Sequence, residues 1–378
     1  MAYTPELSFV LTAYGLPHVM GYLRTKDGVS HPNPLDPIAL MDVAKDLGLA
    51  GVEFPLPSTQ MFPPDQRLSS EIKASVLSQT LSPQRVKEEL DRRGLVMVPD
   101  YMALVNATPE EIKEYLNAVV AVGARVVRST LSNVLCGDRR TLEGGWETRL
   151  EAVAKRLNEV LPYAEDLGVC IALENHQDAS CDDLLLLAEM TNNSPSYGVT
   201  LDAGNPLAVG EGPVETAERL APLIRHVHLK DYTIHFAPEG YRLVRCAAGD
   251  GVVDFPAILD ILKRNGGDVS YGIEIAAQAT RTIPLLEMGW WACYPPIPAT
   301  QLIPALKILW EKGRPMGEPY SSAWERGEDS EAVSAEEWDV VRRSVAYFKT
   351  IAGGNRTRSY ATRKPHGKPT ETATSETP

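Results

Sequence analysis

Residues Cys170 to Asp178 read CIALENHQD, an apolar run that ends in three adjacent polar side chains. Alternation along a strand sends Ala172, Glu174 and His176 to one face and Ile171, Leu173 and Asn175 to the other, so Glu174 and His176 look the same way. Three later stretches repeat the pattern: YGVTLDAGN carries Asp202, IRHVHLKDY carries His228 and SYGIEIAAQ carries Glu274. In each, one polar residue closes an apolar run. Its parity leaves Leu201, Val227 with Leu229, and Ile273 with Ile275 for a buried outer face.

Outward from this stretch the chain alternates strands and helices. Strands are expected at Glu6 to Tyr14, Gly51 to Leu56, Leu95 to Tyr101 and Arg125 to Thr130, followed by the four just quoted. Helices are expected at Pro37 to Leu47, Pro83 to Arg93, Pro109 to Val122, Trp146 to Leu167, Asp182 to Met190, Pro213 to Ala221, Asp254 to Lys263 and Ala335 to Ala352. Thr108 with Glu111 three residues on forms a capping box. DLGLAGVEF, RRGLVMV, AVGARVV and DLGVCIAL each place a Gly where a helix ends before an apolar strand. Eight such units argue for an α/β (β/α)8 TIM barrel rather than an open sheet. A doubly wound sheet is the alternative, but no GxGxxG follows the first strand and no GxxxxGK[ST] occurs, which counts against it.

One domain over residues 1–352 accommodates all eight units. Between strand eight and its helix lies an insertion, Arg281 to Ser334, rich in Trp and Pro; that density of aromatic residues points to a partner surface, a lid or a packed rim. Pro55 to Leu81 is long enough to be a lid, and His235 to Cys246 reads as a hairpin-like excursion. Residues 353–378, rich in Thr, Lys and Arg and without apolar periodicity, are expected to be a disordered tail.

The chain has 378 residues and a formal charge of −13, from 37 Lys and Arg against 50 Asp and Glu. That balance disfavours nucleic acid or an anionic membrane as the main partner. Cys136, Cys170, Cys181, Cys246 and Cys293 are odd in number and contain no CxxC, so neither a disulfide framework nor a zinc ribbon is implied. No signal peptide or membrane span is evident, and a cytoplasmic location is expected.

At the carboxyl ends of neighbouring barrel strands, about 5 Å apart, Glu174, Asp202, His228 and Glu274 can converge on one ion. Three carboxylates and one imidazole suit Mn²⁺, Mg²⁺ or Co²⁺, and Zn²⁺ less well. Singly, each residue has an ordinary explanation: a solvated Glu, a turn Asp, a satisfied core His. Jointly, those explanations need four coincidences of position and parity. His176 is expected at the pocket mouth as a third acid/base group or as a hydrogen-bond partner of the substrate. Glu53, Arg128 and Lys230, inward by parity, are expected at substrate oxygens, with a buried ion pair between Arg128 and Glu53 as the structural alternative. Arg242 and Arg245 are candidates to clamp substrate, and His226, deeper than His228, is read as core.

LENH, LDAGN, HVHLKD and GIEI, together with GDGVVDFPAIL, resemble the sugar phosphate isomerase/epimerase group of the xylose-isomerase-like TIM barrels. The resemblance covers roughly Leu7 to Ala276 plus the final helix. It implies that Glu174, Asp202, His228 and Glu274 hold one divalent ion, Mn²⁺ first among those above, and that the two glutamates move a proton next to a carbonyl through a metal-stabilised enediolate. The insertion exceeds that of simple ketose epimerases, which makes the chain similar to the catalytic α-subunits of bacterial C-glycoside deglycosidases. That similarity implies elimination from a 3-oxo-glycoside, a role for His176, and a small β-subunit as partner; a homo-oligomer is the other assembly expected. Two competing classes are an apurinic-endonuclease-like phosphodiesterase and a non-catalytic barrel subunit. The first looks for three zinc ions and more histidines, yet none stands between His31 and His176.

Overall fold

The computed structural model describes residues 7–56, 81–101, 104–275, 280–316 and 321–351. The expected lid at Pro55 to Leu81, apart from its ends, and the expected tail at 353–378 lie outside them.

Eight parallel strands close a barrel: β1 (Ser8–Thr12), β2 (Gly51–Pro55), β3 (Val96–Tyr101), β4 (Val126–Thr130), β5 (Cys170–Glu174), β6 (Tyr197–Asp202), β7 (Ile224–Leu229) and β10 (Ser270–Ile273). They are ordered β1-β10-β7-β6-β5-β4-β3-β2. The α/β barrel read from the strand-and-helix alternation is therefore the fold. Helices pack on its outside, and the alternation explains why. Ile171, Leu173, Leu201, Val227, Leu229, Ile273 and Ile275 all join one apolar layer between strands and helices, each contributing about 1.5–3 kcal/mol on burial. The opposite parity points into the barrel and carries the polar side chains.

The local signals act as their chemistry requires. Both bonds of the capping box form, with Glu111 N–H donating to Thr108 Oγ1 at 3.3 Å and Thr108 N–H donating to Glu111 Oε2 at 2.8 Å. Gly48, Gly94, Gly123 and Gly168, the four glycines of the helix-to-strand joints, all take positive φ.

The excursion after β7 is a full hairpin, β8 (Asp231–Ala237) with β9 (Gly240–Cys246), starting earlier than expected at Asp231. A short strand from the insertion, β11 (Arg281–Ile283), adds to β9. This sheet shares a second small core with the insertion, in which Trp290 is fully buried against Leu207, Ala208, Tyr232 and Leu243. Among the described residues, most of the insertion's aromatic side chains are thus packed on the barrel rim rather than displayed; Trp310 is the exception, at 86% exposed. No helix among the described residues is long and apolar enough to cross a membrane.

The last helix (Ser330–Ile351) is locked to the start of the chain. Buried Glu337 accepts the backbone N–H groups of His18, at 3.0 and 3.1 Å, and of Val19, at 3.1 Å. Burial pushes its carboxyl up to about 8 despite those donors. A carboxyl raised on folding binds its proton more tightly in the native state, so stability falls as pH rises between the unfolded value near 4.5 and about 8. Glu337→Gln removes the titration. Its melting temperature relative to the parent is expected to rise from pH 5 to pH 9, by an amount worth a few kcal/mol at most, since each pH unit in that window changes stability by no more than about 1.4 kcal/mol. Parallel pH profiles of the two proteins would contradict this.

Candidate metal centre

Glu174 and Asp202 end β5 and β6, His228 lies one residue before the end of β7, and Glu274 follows β10 directly. One ligand atom from each lies within 4.8 Å of the others. Donors on opposite sides of one ion at about 2.1–2.4 Å are separated by about 4.2–4.8 Å, so the four fit a single divalent cation. A register shift between β6 and β7 makes this possible. Val199 pairs with Ile224 but Thr200 pairs with His226, so one residue of β7 is skipped and Asp202 is brought level with His228.

His228 sits at the centre. Its Nδ1 lies 3.2 Å from Glu174 Oε1 and 2.8 Å from Glu274 Oε2, and its Nε2 lies 2.8 Å from Glu53 Oε1. Nδ1 is therefore the nitrogen turned to the ligand set, while Glu53 orients the ring from behind, an arrangement that fixes a ligating imidazole. Glu53 is 1% exposed, and its other oxygen lies 2.9 Å from His226 Nε2. This corrects its assignment to substrate: Glu53 is buried beneath His228 and both its oxygens are used. Gly272 is what lets it fit, since a Cβ there would come within 2.8 Å of Glu53 Oε2 and 3.1 Å of His226 Nε2. His226, fully buried and bonded on its other side to Ser270 Oγ at 2.7 Å, is the satisfied core histidine expected.

Two buried cations face the carboxylates. Lys230 Nζ lies 2.5 Å from Asp202 Oδ2 and 3.2 Å from Glu274 Oε2. Arg128 pairs with Glu174 and, at 2.8 Å, with Asp100, and not with Glu53 as its structural alternative supposed. Asp100, on β3, is a site residue that the sequence reading missed. It follows Pro99 in a strand without a polar partner in sequence, and only the β3–β4 register, which sets it opposite Arg128, reveals it.

Five buried carboxylates, Glu53, Asp100, Glu174, Asp202 and Glu274, thus surround two permanent cations and the imidazoles of His226 and His228. The negative surplus is what a divalent ion complements. Burial by itself would raise Glu274 and Glu174, but Lys230 then His228 hold the first well below the usual carboxylate range, and Arg128 then His228 do so for the second. Burial opposed by the two imidazoles leaves Glu53 at about 2. Burial lifts Asp100 and Asp202 to about 6. Burial also works against a charged His228, yet Glu53, Glu274 and Glu174 outweigh it and raise the imidazole well above its ordinary value. An ion bound at Nδ1 would displace a proton, so its affinity would rise with pH.

His176 lies just beyond β5, half-buried, with Nδ1 enclosed and without a hydrogen-bond partner among the described residues. Burial lowers its imidazole to about 4, so it is neutral at physiological pH. Asn175, assigned by parity to the outer face, is a latch: it accepts from Asp202 N–H at 2.7 Å and donates to Asp202 O at 3.1 Å. Asp231 is a second residue missed. Its carboxylate accepts backbone N–H groups from Tyr232, Gly249, Gly251 and Val253 at 2.9–3.1 Å and so ties the GDGVV turn to the base of β8. Arg245, opposite Tyr232 on the inward face of the hairpin, is close enough to Lys230 to act on its charge. Arg242, the other candidate clamp, lies on the other face: its guanidinium bonds Thr280 Oγ1 at 2.5 Å and approaches Glu325 at 4.0 Å, in the seam with the insertion.

A family model described as xylose isomerase-like TIM barrel matches residues 41–290. The chain is 26% identical over 202 residues to 3-oxo-isoapionate decarboxylase of Pectobacterium atrosepticum, covering 48% of this chain and 72% of that protein. It is 28% identical over 206 residues to inosose dehydratase of Clostridium beijerinckii, covering 48% of this chain and 69% of that one. Among solved structures, a D-allulose 3-epimerase from Methylomonas sp. superimposes with a TM-score of 0.52 at 14% identity, over 93% of this chain and 100% of the other. A xylose isomerase-like barrel protein from Mycobacterium smegmatis in complex with magnesium superimposes with a TM-score of 0.52 at 15% identity, over 82% and 98%. At these identities the two structures speak for the fold alone.

Proposed function

The chain belongs to the xylose isomerase-like TIM barrel family, and from that premise we propose that it is a divalent-metal-dependent enzyme that removes a proton from carbon next to a carbonyl in a polyhydroxylated, sugar-like substrate. The observation that carries this reading is the convergence of Glu174, Asp202, His228 and Glu274 within 4.8 Å at the carboxyl end of the barrel. Family relatives named as a dehydratase and a decarboxylase support it, since both reactions, like epimerisation, develop negative charge beside a carbonyl. Those four residues would hold the ion, for which we infer Mn²⁺. A divalent ion there supplies the positive charge that makes such a carbon acid lose its proton.

This chain's own groups do the rest. Glu174 and Glu274, held ionised by Arg128 and Lys230, are the candidate bases. If one removes the proton and the other returns it, the substrate is epimerised or isomerised. If the electron pair instead expels a group on the next carbon, the outcome is elimination; the glutamate that took the proton can hand it to the departing group, and neutral His176 would hold that group by a hydrogen bond. Lys230 and Arg245 are the side chains we place at substrate oxygens.

The test starts with metal. One Mn²⁺ per chain is expected by elemental analysis after loading and desalting, and His228→Ala is expected to weaken Mn²⁺ binding at least about a hundredfold in calorimetry. The loaded protein is then incubated in deuterated water with ketoses, inososes and 3-oxo-glycosides. Deuterium appearing beside a carbonyl, only when metal is present, is the expected result. Three zinc ions per chain would replace this reading with phosphodiester cleavage, and failure to bind any divalent ion would replace it with a non-catalytic subunit.

A further inference from the structure

Two residues other than glycine stand in left-handed backbone beside the site, Cys136 at φ 59° and Gln177 at φ 66°. Such residues seldom adopt this conformation unless their surroundings hold them in it. Here they hold each other: Cys136 N–H donates to Gln177 Oε1 at 3.2 Å, and Gly137 N–H donates to the Gln177 carbonyl at 2.8 Å.

The insertion closes the outer side of this knot. Trp290 Nε1 donates to the Cys136 carbonyl at 3.1 Å, and the Tyr294 hydroxyl donates to the Gly137 carbonyl at 2.8 Å. A Cβ on Gly137 would come within 2.5 Å of the Trp290 ring and 2.7 Å of the Tyr294 oxygen, so both side chains press directly on that backbone. The Arg139 guanidinium is held between the rings of Trp146 and Tyr294, 4.0 and 3.9 Å from their centroids, and donates to the Asp178 carbonyl at 2.8 Å. On the inner side, Gln177 Nε2 bonds the Tyr232 hydroxyl at 3.0 Å, and Asn175 is latched to Asp202.

His176 lies between Asn175 and Gln177. It makes no side-chain hydrogen bond of its own through Nδ1, so its direction follows from the backbone on either side. We propose that Trp290 and Tyr294 are positioning residues: the insertion braces the Cys136–Gln177 knot and thereby aims the His176 imidazole across the barrel mouth. This rests on the reading that His176 meets substrate, and it gives the insertion a task inside its own chain. Nothing in the ligand set is touched by either aromatic residue, so the brace acts on His176 separately from metal.

Tyr294→Phe removes one hydroxyl and keeps the ring on Arg139; Trp290→Phe removes the indole N–H. Each is expected to bind Mn²⁺ within about twofold of the parent while turnover falls about tenfold or more with little change in KM, and combination with His176→Gln is expected to add no further loss, as for residues acting as one unit. Losses that multiply with His176→Gln, or Mn²⁺ affinity that falls in parallel, would overturn the proposal in favour of general loosening. If the parent turns over no carbonyl substrate, it is the functional reading that fails, and the brace is judged by the rate at which diethyl pyrocarbonate modifies His176, followed by peptide mass spectrometry. A change of about fivefold relative to His31 in Tyr294→Phe supports the brace, since reactivity follows exposure and orientation; an unchanged rate in both variants overturns it.

Discussion

Glu274→Gln, assayed at saturating Mn²⁺, is expected to lower turnover roughly 10²- to 10⁴-fold, the range a positioned acid or base contributes. Glu274 is 8% exposed, unlike the fully enclosed Glu174, and stands at the open side of the ligand set against Lys230 and His228. Glutamine keeps its size and one oxygen but removes the basicity and a negative charge, so Mn²⁺ binding weakens as well. Saturation with the ion separates the two effects. Glu174→Gln offers the contrast. Where the two carboxylates address opposite sides of one carbon, a variant of either retains the other as a base. It should still exchange the substrate proton with deuterated water while failing to convert substrate. Exchange without conversion in one variant, and neither in the other, assigns the base and the returning acid. Full turnover by both variants with metal bound would sink the assignment of proton transfer to this pair.

How far the site was legible depended on whether a residue's role is written in its own strand. Glu174, Asp202, His228 and Glu274 each end an apolar run, and period-2 alternation decides which way they face, so they could be read singly and then found together. The helix-to-strand glycines at 48, 94, 123 and 168 were equally local, because a helix end needs a left-handed residue whatever lies across the barrel. Glu53, Asp100 and Asp231 were not legible in this way. Glu53 serves His228, at 2.8 Å, from a strand 175 residues away in sequence. Asp100 acquires meaning only from Arg128 in the next strand, and Asp231 from three N–H groups of a turn that sequence reads as a motif of glycines. The skipped residue between β6 and β7 is likewise a property of two strands at once. The insertion stayed undecided for a related reason: a dense run of Trp and Tyr is compatible with display or with burial. Only the β8–β9–β11 sheet, to which it supplies a strand, shows that Trp290 is interior.

Arg128→Met is expected to destabilise the barrel by about 3–5 kcal/mol, the range found when one partner of a buried ion pair is removed. The residue is 2% exposed and its side chain serves two carboxylates, Glu174 and the fully buried Asp100. Methionine fills the volume of the arginine stem, so packing is largely retained and the loss is one of charge. The two carboxylates then respond differently. Asp100, already raised to about 6 by burial with Arg128 pulling the other way, loses that restraint and binds its proton more tightly still. A carboxyl raised on folding costs stability as pH climbs above its unfolded value near 3.8, so the deficit of the variant should be larger at pH 8 than at pH 5.5. Asp100→Asn in the same chain should return part of it by removing that charge. Glu174 retains His228 Nδ1 at 3.2 Å and, as a proposed ligand, should be partly relieved by Mn²⁺, so metal ought to stabilise the variant by more than the parent. Urea unfolding at the two pH values, with and without Mn²⁺, reads all three effects. A deficit independent of pH, unmoved by Asp100→Asn and by metal, would mean that Arg128 contributes only the packing of its stem. The pairing of Arg128 with Glu174 and of Lys230 with Glu274 would then be incidental to how this site keeps its carboxylates ionised.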